Sequence, residues 1–111
     1  MLRLLAIGCL LVSACAPLAD DMKRAEAAFQ EARYEDVSVW LRDLEPSVSD
    51  MSRKLRSRYY YMAGVTAARL GDASRARHYL VLCREEAALE GFGLSEDQQR
   101  NLVLTLRELR E

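Results

Sequence analysis

One histidine (His78), one tryptophan (Trp40), two prolines and five glycines are all that 111 residues hold of these types. With a single His, neither a His-based metal cluster nor a conventional Ser–His–Asp triad can be assembled. His78 sits among Arg75 and Arg77 on a helical pattern, where a solvated surface role is expected. Glu85 and Glu86 are adjacent on a helix and point apart, which is unsuited to a paired-carboxylate site. Gly91-Phe92-Gly93 is too short for a phosphate-cradling loop and carries no Lys. The chain is therefore expected to be no enzyme, with no catalytic residues, no metal, no cofactor and no small-molecule substrate. Long apolar runs are also missing: Leu4–Val12, nine residues, falls far short of the roughly 20 that span a bilayer as a helix.

What is present is Ala, Leu, Arg and Glu, all good helix formers, and no convincing alternation over strand length. An all-α fold of about five helices is expected. The first covers Asp20–Ala32, with Ala25, Ala28, Phe29 and Ala32 on one stripe. The second, Glu35–Glu45, buries Val37, Trp40, Leu41 and Leu44 and stops before Pro46. After a loop at Pro46–Ser49, the longest helix runs over Asp50–Leu70 to Gly71, a natural left-handed cap. The fourth, Ala73–Leu89, follows Asp72 as N-cap and buries Ala76, Leu80, Cys83 and Ala87. Ser95-Glu96-Asp97-Gln98 has capping-box spacing and opens a last helix, with Leu102, Leu106 and Leu109 inward and Arg100, Arg107, Glu108 and Arg110 outward.

The net charge of −1 conceals a pattern. Residues 15–52 carry nine acidic and four basic groups, residues 53–84 one and eight, and residues 85–111 seven and three. A basic centre thus lies between acidic flanks. Pairing with those flanks, or contact with lipid phosphates or an acidic partner, accounts for it better than nucleic acid does.

The segment Ala32-Arg33-Tyr34-Glu35-Asp36-Val37 aligns with Gly71-Asp72-Ala73-Ser74-Arg75-Ala76 at an offset of 39 residues, and Leu41 and Leu80 follow at equal spacing. The second unit reads Tyr60-x2-Ala63-Gly64-x2-Ala67, then Ala76-x3-Leu80. This resembles the tetratricopeptide repeat, whose own period is 34. The resemblance covers about residues 18–89 and implies two helix pairs with the last helix as a cap; a plain helical bundle is the alternative. Gly64 inside a helix costs up to about 1 kcal/mol against Ala, tolerable where another helix crosses its bare backbone. Tyr60 and Leu80 would fill the space around that crossing.

Tyr59-Tyr60-Tyr61 cannot all face one core, since consecutive helical residues fan round the axis. The resemblance implies Tyr60 inward and Tyr61 on a concave side formed by the first helices. Such domains typically bind a peptide or helix there. Carried over, the groove would comprise Arg58, Tyr61, Val65, Ala68 and Arg69, opposed by Met22, Glu26, Phe29 and Gln30.

The N-terminus reads as a signal peptide: a charged start at Arg3, a short apolar core, and small residues before Cys15. Val12-Ser13-Ala14-Cys15 resembles the lipobox of bacterial lipoproteins, in which the Cys sulfur is alkylated by diacylglyceryl before cleavage. The resemblance implies a removed segment 1–14, a palmitate-bearing lipid on Cys15, a tether at 15–19 and a helical domain at 20–111. A tether that short reaches at most roughly 17 Å. Cys83 then remains the one free thiol, expected as a buried small hydrophobe. Ala16 implies the outer membrane, facing the periplasm, over the inner one.

The expected protein is thus a membrane-anchored, non-enzymatic adaptor or assembly factor for another envelope protein. Small helical lipoproteins of this kind resemble the pilotins of secretion and pilus systems. The alternatives are a structural membrane-surface protein that presses its basic segment against anionic lipid, and an enzyme regulator lodged near the membrane.

Overall fold

A computed structural model describes residues 16–89 and 93–110. Cys15, the lipobox, Gly91 and Phe92 lie outside them. Among the described residues five α-helices follow one another: α1 Ala16–Gln30, α2 Tyr34–Leu44, α3 Arg53–Arg69, α4 Ala73–Leu89 and α5 Glu96–Arg110. A 3-10 segment, η1, covers Glu45–Asp50 where a loop was expected. No strand occurs among the described residues, and the fold is all-α.

Local chemistry sets most helix ends. Asp72 Oδ1 accepts the backbone N–H of Arg75 at 3.1 Å. Ser95 and Gln98 close a reciprocal capping box, at 3.0 Å from Ser95 N–H to Gln98 Oε1 and 3.2 Å from Gln98 N–H to Ser95 Oγ. Helix α3 starts later than its pattern suggested. Ser52 caps it by accepting Leu55 N–H, and Pro46 at the head of η1 tightens the preceding residues into 3-10 turns. The N-terminal boundary also moves: residues 16–19, expected as an extended tether, form the first turn of α1.

The 39-residue offset holds in three dimensions. Helix α1 closes with Arg33 N–H donating to Ala28 O and Ala32 N–H to Phe29 O; α3 closes with Asp72 N–H to Ala67 O and Gly71 N–H to Ala68 O. Both are Schellman motifs. The left-handed residue is Gly71 (φ 87°) in one and Ala32 (φ 58°) in the other. Six equivalent pairs are buried on both copies: Met22 and Tyr61, Ala25 and Gly64, Ala28 and Ala67, Val37 and Ala76, Leu41 and Leu80, Leu44 and Cys83.

Helix α3 is the axis of the molecule. From Tyr61 to Ala67 every residue is buried, the signature of a helix surrounded on all sides. Tyr59, Met62 and Ala63 join Met22, Ala25, Val37 and Leu44 in a first core with α1 and α2. Tyr61 and Val65 join Leu80, Cys83, Leu94, Leu102 and Leu106 in a second core with α4 and α5. Gly64 admits α4: a Cβ there would lie 2.5 Å from both Cγ and Cδ2 of Leu80. Gly93 plays a similar part, because a Cβ on it would collide with the Lys54 carbonyl oxygen.

The opposed charge blocks meet. Arg56 Nε donates to Glu86 at 2.8 Å, joining the basic centre to the C-terminal acidic flank, and Arg58 pairs with Glu26 of the N-terminal one.

Candidate functional site

Two faces of α3 could serve a ligand. At about 100° per residue, Arg58, Tyr61, Val65 and Ala68 project on one side, and Tyr59, Ala63, Thr66 and Leu70 on the other.

On the first side, the expected groove is partly filled by the chain itself. Tyr61 is 5% and Val65 6% exposed, because α5 lies over them through Leu102 and Leu106. Asn101 Nδ2 of α5 donates to the Tyr61 hydroxyl at 2.9 Å, and Thr105 in turn donates to Asn101. Burial raises the Tyr61 pKa, opposed by that Asn101 hydrogen bond. Met22 is 3% exposed and belongs to the first core. These three are packing residues rather than groove residues. The last helix is therefore a lid on part of the second pair as well as a cap.

Several groove positions stay accessible. Gln30, Arg58 and Arg69 are exposed, and Glu26, Phe29 and Ala68 half-buried. Phe29 stands edge-on to Tyr61 (5.9 Å between ring centroids) and to Tyr34 (6.0 Å), so its ring is held in place. Glu26 is committed to Arg58.

The tyrosine triplet sorts differently from expectation. Tyr59 and Tyr61 are buried and Tyr60 half-buried. Tyr59 reaches α2, donating its hydroxyl to Leu41 O at 3.1 Å. Tyr60 stacks on Tyr79 at 6.2 Å. Since α3 has neighbours all round, Tyr59 and Tyr61, two positions apart, bury themselves in different cores.

On the second side lies a cleft of about 340 Å³ between α2, α3 and α4. Its floor is buried: Leu41, Tyr59, Ala63, Thr66 and Ala67 are each at most 7% exposed. Its rim is exposed and charged, with Arg42, Glu45, Asp72 and Arg75. Arg75 lies 5.7 Å from the centroid of the Tyr79 ring, and its pKa is raised by Tyr79 foremost, then by Glu45 and Asp72. Burial foremost, with Tyr79 and Glu45 adding, pushes the Tyr59 phenol well above its ordinary range. The Thr66 hydroxyl is buried with no hydrogen-bond partner. The sequence reading missed this cleft. Its residues come from three successive helices and their ends, and no local spacing marks them.

His78 is exposed, and Cys83 is fully buried with its thiol donating to Ser57 O at 3.4 Å. Burial pushes that thiol up to about 12. Among the described residues, no group of three or more His, Cys, Asp or Glu could hold a metal ion, and no helix is long and apolar enough to cross a membrane.

No protein-family model matches the chain, and no curated protein or solved structure is similar enough to count as a match.

Proposed function

We propose that this protein is a lipoprotein of the bacterial envelope, anchored through Cys15, whose two tetratricopeptide-like helix pairs act as a non-enzymatic adaptor or assembly factor. The observation that carries the reading is the duplicated pair itself: the same six positions buried and the same closing turn at an offset of 39 residues. Repeats of this kind present their first helices as a binding face. Here that face retains an accessible strip of Phe29, Gln30, Ala68 and Arg69 beside the Glu26–Arg58 pair. A fixed aromatic ring on the same face as an exposed guanidinium suits an apolar segment with an acidic flank. The helical first turn at residues 16–19 supports a domain held closer to the bilayer than a five-residue extended tether would hold it.

The alternative, a basic face pressed on anionic lipid, is weakened by the ion pairs. Arg56 and Arg58 are already engaged by Glu86 and Glu26.

Two measurements test the proposal. Palmitate should label the wild type and not Cys15→Ser; a labelled mutant would overturn the anchor. A photo-crosslinker at Gln30 should capture a discrete envelope partner in intact cells, and Arg69→Glu should abolish the adduct. Adducts that are unchanged by Arg69→Glu, or identical from a probe at Ser74 on α4, would overturn the binding face.

A further inference from the structure

The cleft on the far side of α3 has the composition of a ligand site, and none of the described residues fills it. We propose that it binds a small zwitterion of amino-acid or short-peptide type. Its 340 Å³ is at the small end of the range for ligand pockets. Buried apolar atoms of Leu41, Ala63 and Ala67 would receive the side chain of the ligand. Above them stand two guanidinium groups, Arg42 and Arg75, and two carboxylates, Glu45 and Asp72. A ligand of one charge would meet a like-charged pair on this rim; a molecule carrying both an ammonium and a carboxylate meets a complement for each.

The partners already taken sharpen the assignment. Among the described residues Arg42 has no carboxylate within salt-bridge distance, so its donors remain for a ligand carboxylate. Asp72 Oδ1 accepts Arg75 N–H, which leaves its other oxygen for an ammonium. The Tyr59 proton goes to Leu41 O, leaving its phenolic oxygen as an acceptor. Thr66 is the independent sign of an absent partner: it borders the cleft, is 2% exposed, and its hydroxyl is unsatisfied. An orphaned buried hydroxyl is costly, and native structures keep few without a reason.

The test is a titration of the isotope-labelled chain, as purified from cells, with the dipeptide L-leucyl-L-alanine, followed by NMR. The expected result is saturable amide shifts centred on Ala63, Thr66 and Ala67 at millimolar concentration or below. The N-acetylated, C-amidated dipeptide should bind about tenfold more weakly or worse, because charge-assisted contacts are lost. Arg42→Ala and Glu45→Gln, both at exposed rim positions, should each weaken binding several-fold. Thr66→Val should weaken it too, while the melting temperature holds or rises. No saturable shift with the free dipeptide would overturn the proposal. So would equal binding of the capped form, or an equal loss from Arg69→Ala on the opposite face of α3.

Discussion

Leu80 stands where the side chain of residue 64 would be: a Cβ built on Gly64 falls 2.5 Å from Leu80 Cγ and 3.3 Å from its backbone nitrogen. Gly64→Ala should accordingly destabilise the protein although Ala is the better helix former. The propensity gain is up to about 1 kcal/mol, whereas overpacking a closed core costs about 1–3 kcal/mol. Leu80 is 0% exposed and has no room to retreat. A net loss of about 1–2 kcal/mol is expected by urea denaturation. Leu80→Ala alone should cost about 2–5 kcal/mol, and the double variant should lose less than the sum of the two. Strict additivity would refute the contact as the reason for glycine.

Much of this was legible in advance, and the reasons are local. Ala63-Gly64-x2-Ala67 announces a close helix crossing because only small residues permit one. Asp72, Gly71 and the Ser95–Gln98 box announce helix ends because each satisfies orphan backbone groups within four residues. The basic centre between two acidic flanks left pairing across the molecule as one reading beside lipid phosphates or an acidic partner, and Arg56–Glu86 and Arg58–Glu26 are such pairs. What sequence could not give was coverage. Tyr61 read equally well as groove or core until α5 is placed, and α5 is placed by contacts with residues some 40 positions earlier, such as Asn101 with Tyr61. Met22 was read as groove and belongs to the core between α1, α2 and α3. The cleft was invisible for the same reason. Ala32 was read as the end of a helical stripe, since nothing about an alanine signals positive φ.

The two closing turns predict opposite responses to exchanging alanine and glycine. Ala32 holds φ 58°, a region that costs an L-residue about 1 kcal/mol, and its side chain is exposed. Ala32→Gly should therefore be stabilising or neutral, by up to about 1 kcal/mol, despite the greater freedom of glycine in the unfolded chain. Gly71→Ala meets nothing within 4 Å, so its cost is backbone strain alone, about 1 kcal/mol. Paired thermal melts of the two variants check the sign reversal. Loss of stability in both would show that the turn at Ala32 is not left-handed.

Ion pairs here differ in worth according to their burial. Arg56 and Glu86 are 20% and 21% exposed in their side chains and join α3 to α4 by two contacts, at 2.8 and 3.5 Å. Arg100 and Asp97 are 69% and 91% exposed and lie within one helix. Glu86→Gln should cost about 1–3 kcal/mol, since it strips a half-buried guanidinium of its charged partner. Asp97→Asn should cost under about 0.5 kcal/mol. Raising the salt concentration should erase the smaller effect first.

Alkaline pH should lower the stability of this protein with two successive slopes, set by which buried groups titrate. Cys83 has an ordinary value of 9.0 and is pushed up to about 12 in the fold; the three consecutive tyrosines are raised from 10.0. For each group the native state holds its proton after the unfolded chain has released it. Below pH 9 both states are protonated and the contribution to stability is present in full. Above pH 9 the unfolded state binds fewer protons, so stability falls as pH rises, by roughly 1.4 kcal/mol per pH unit for each group caught between its two values. The urea midpoint should thus begin to fall near pH 9 through Cys83, and fall more steeply beyond pH 10 as Tyr59 and Tyr61 join. Cys83→Ala should lower the midpoint at neutral pH, because it vacates a fully buried site, yet delay the onset of the fall to near pH 10. An onset unmoved by Cys83→Ala would mean that the thiol is solvated in the native protein, and with it the second core between α3, α4 and α5 would be looser than its packing implies.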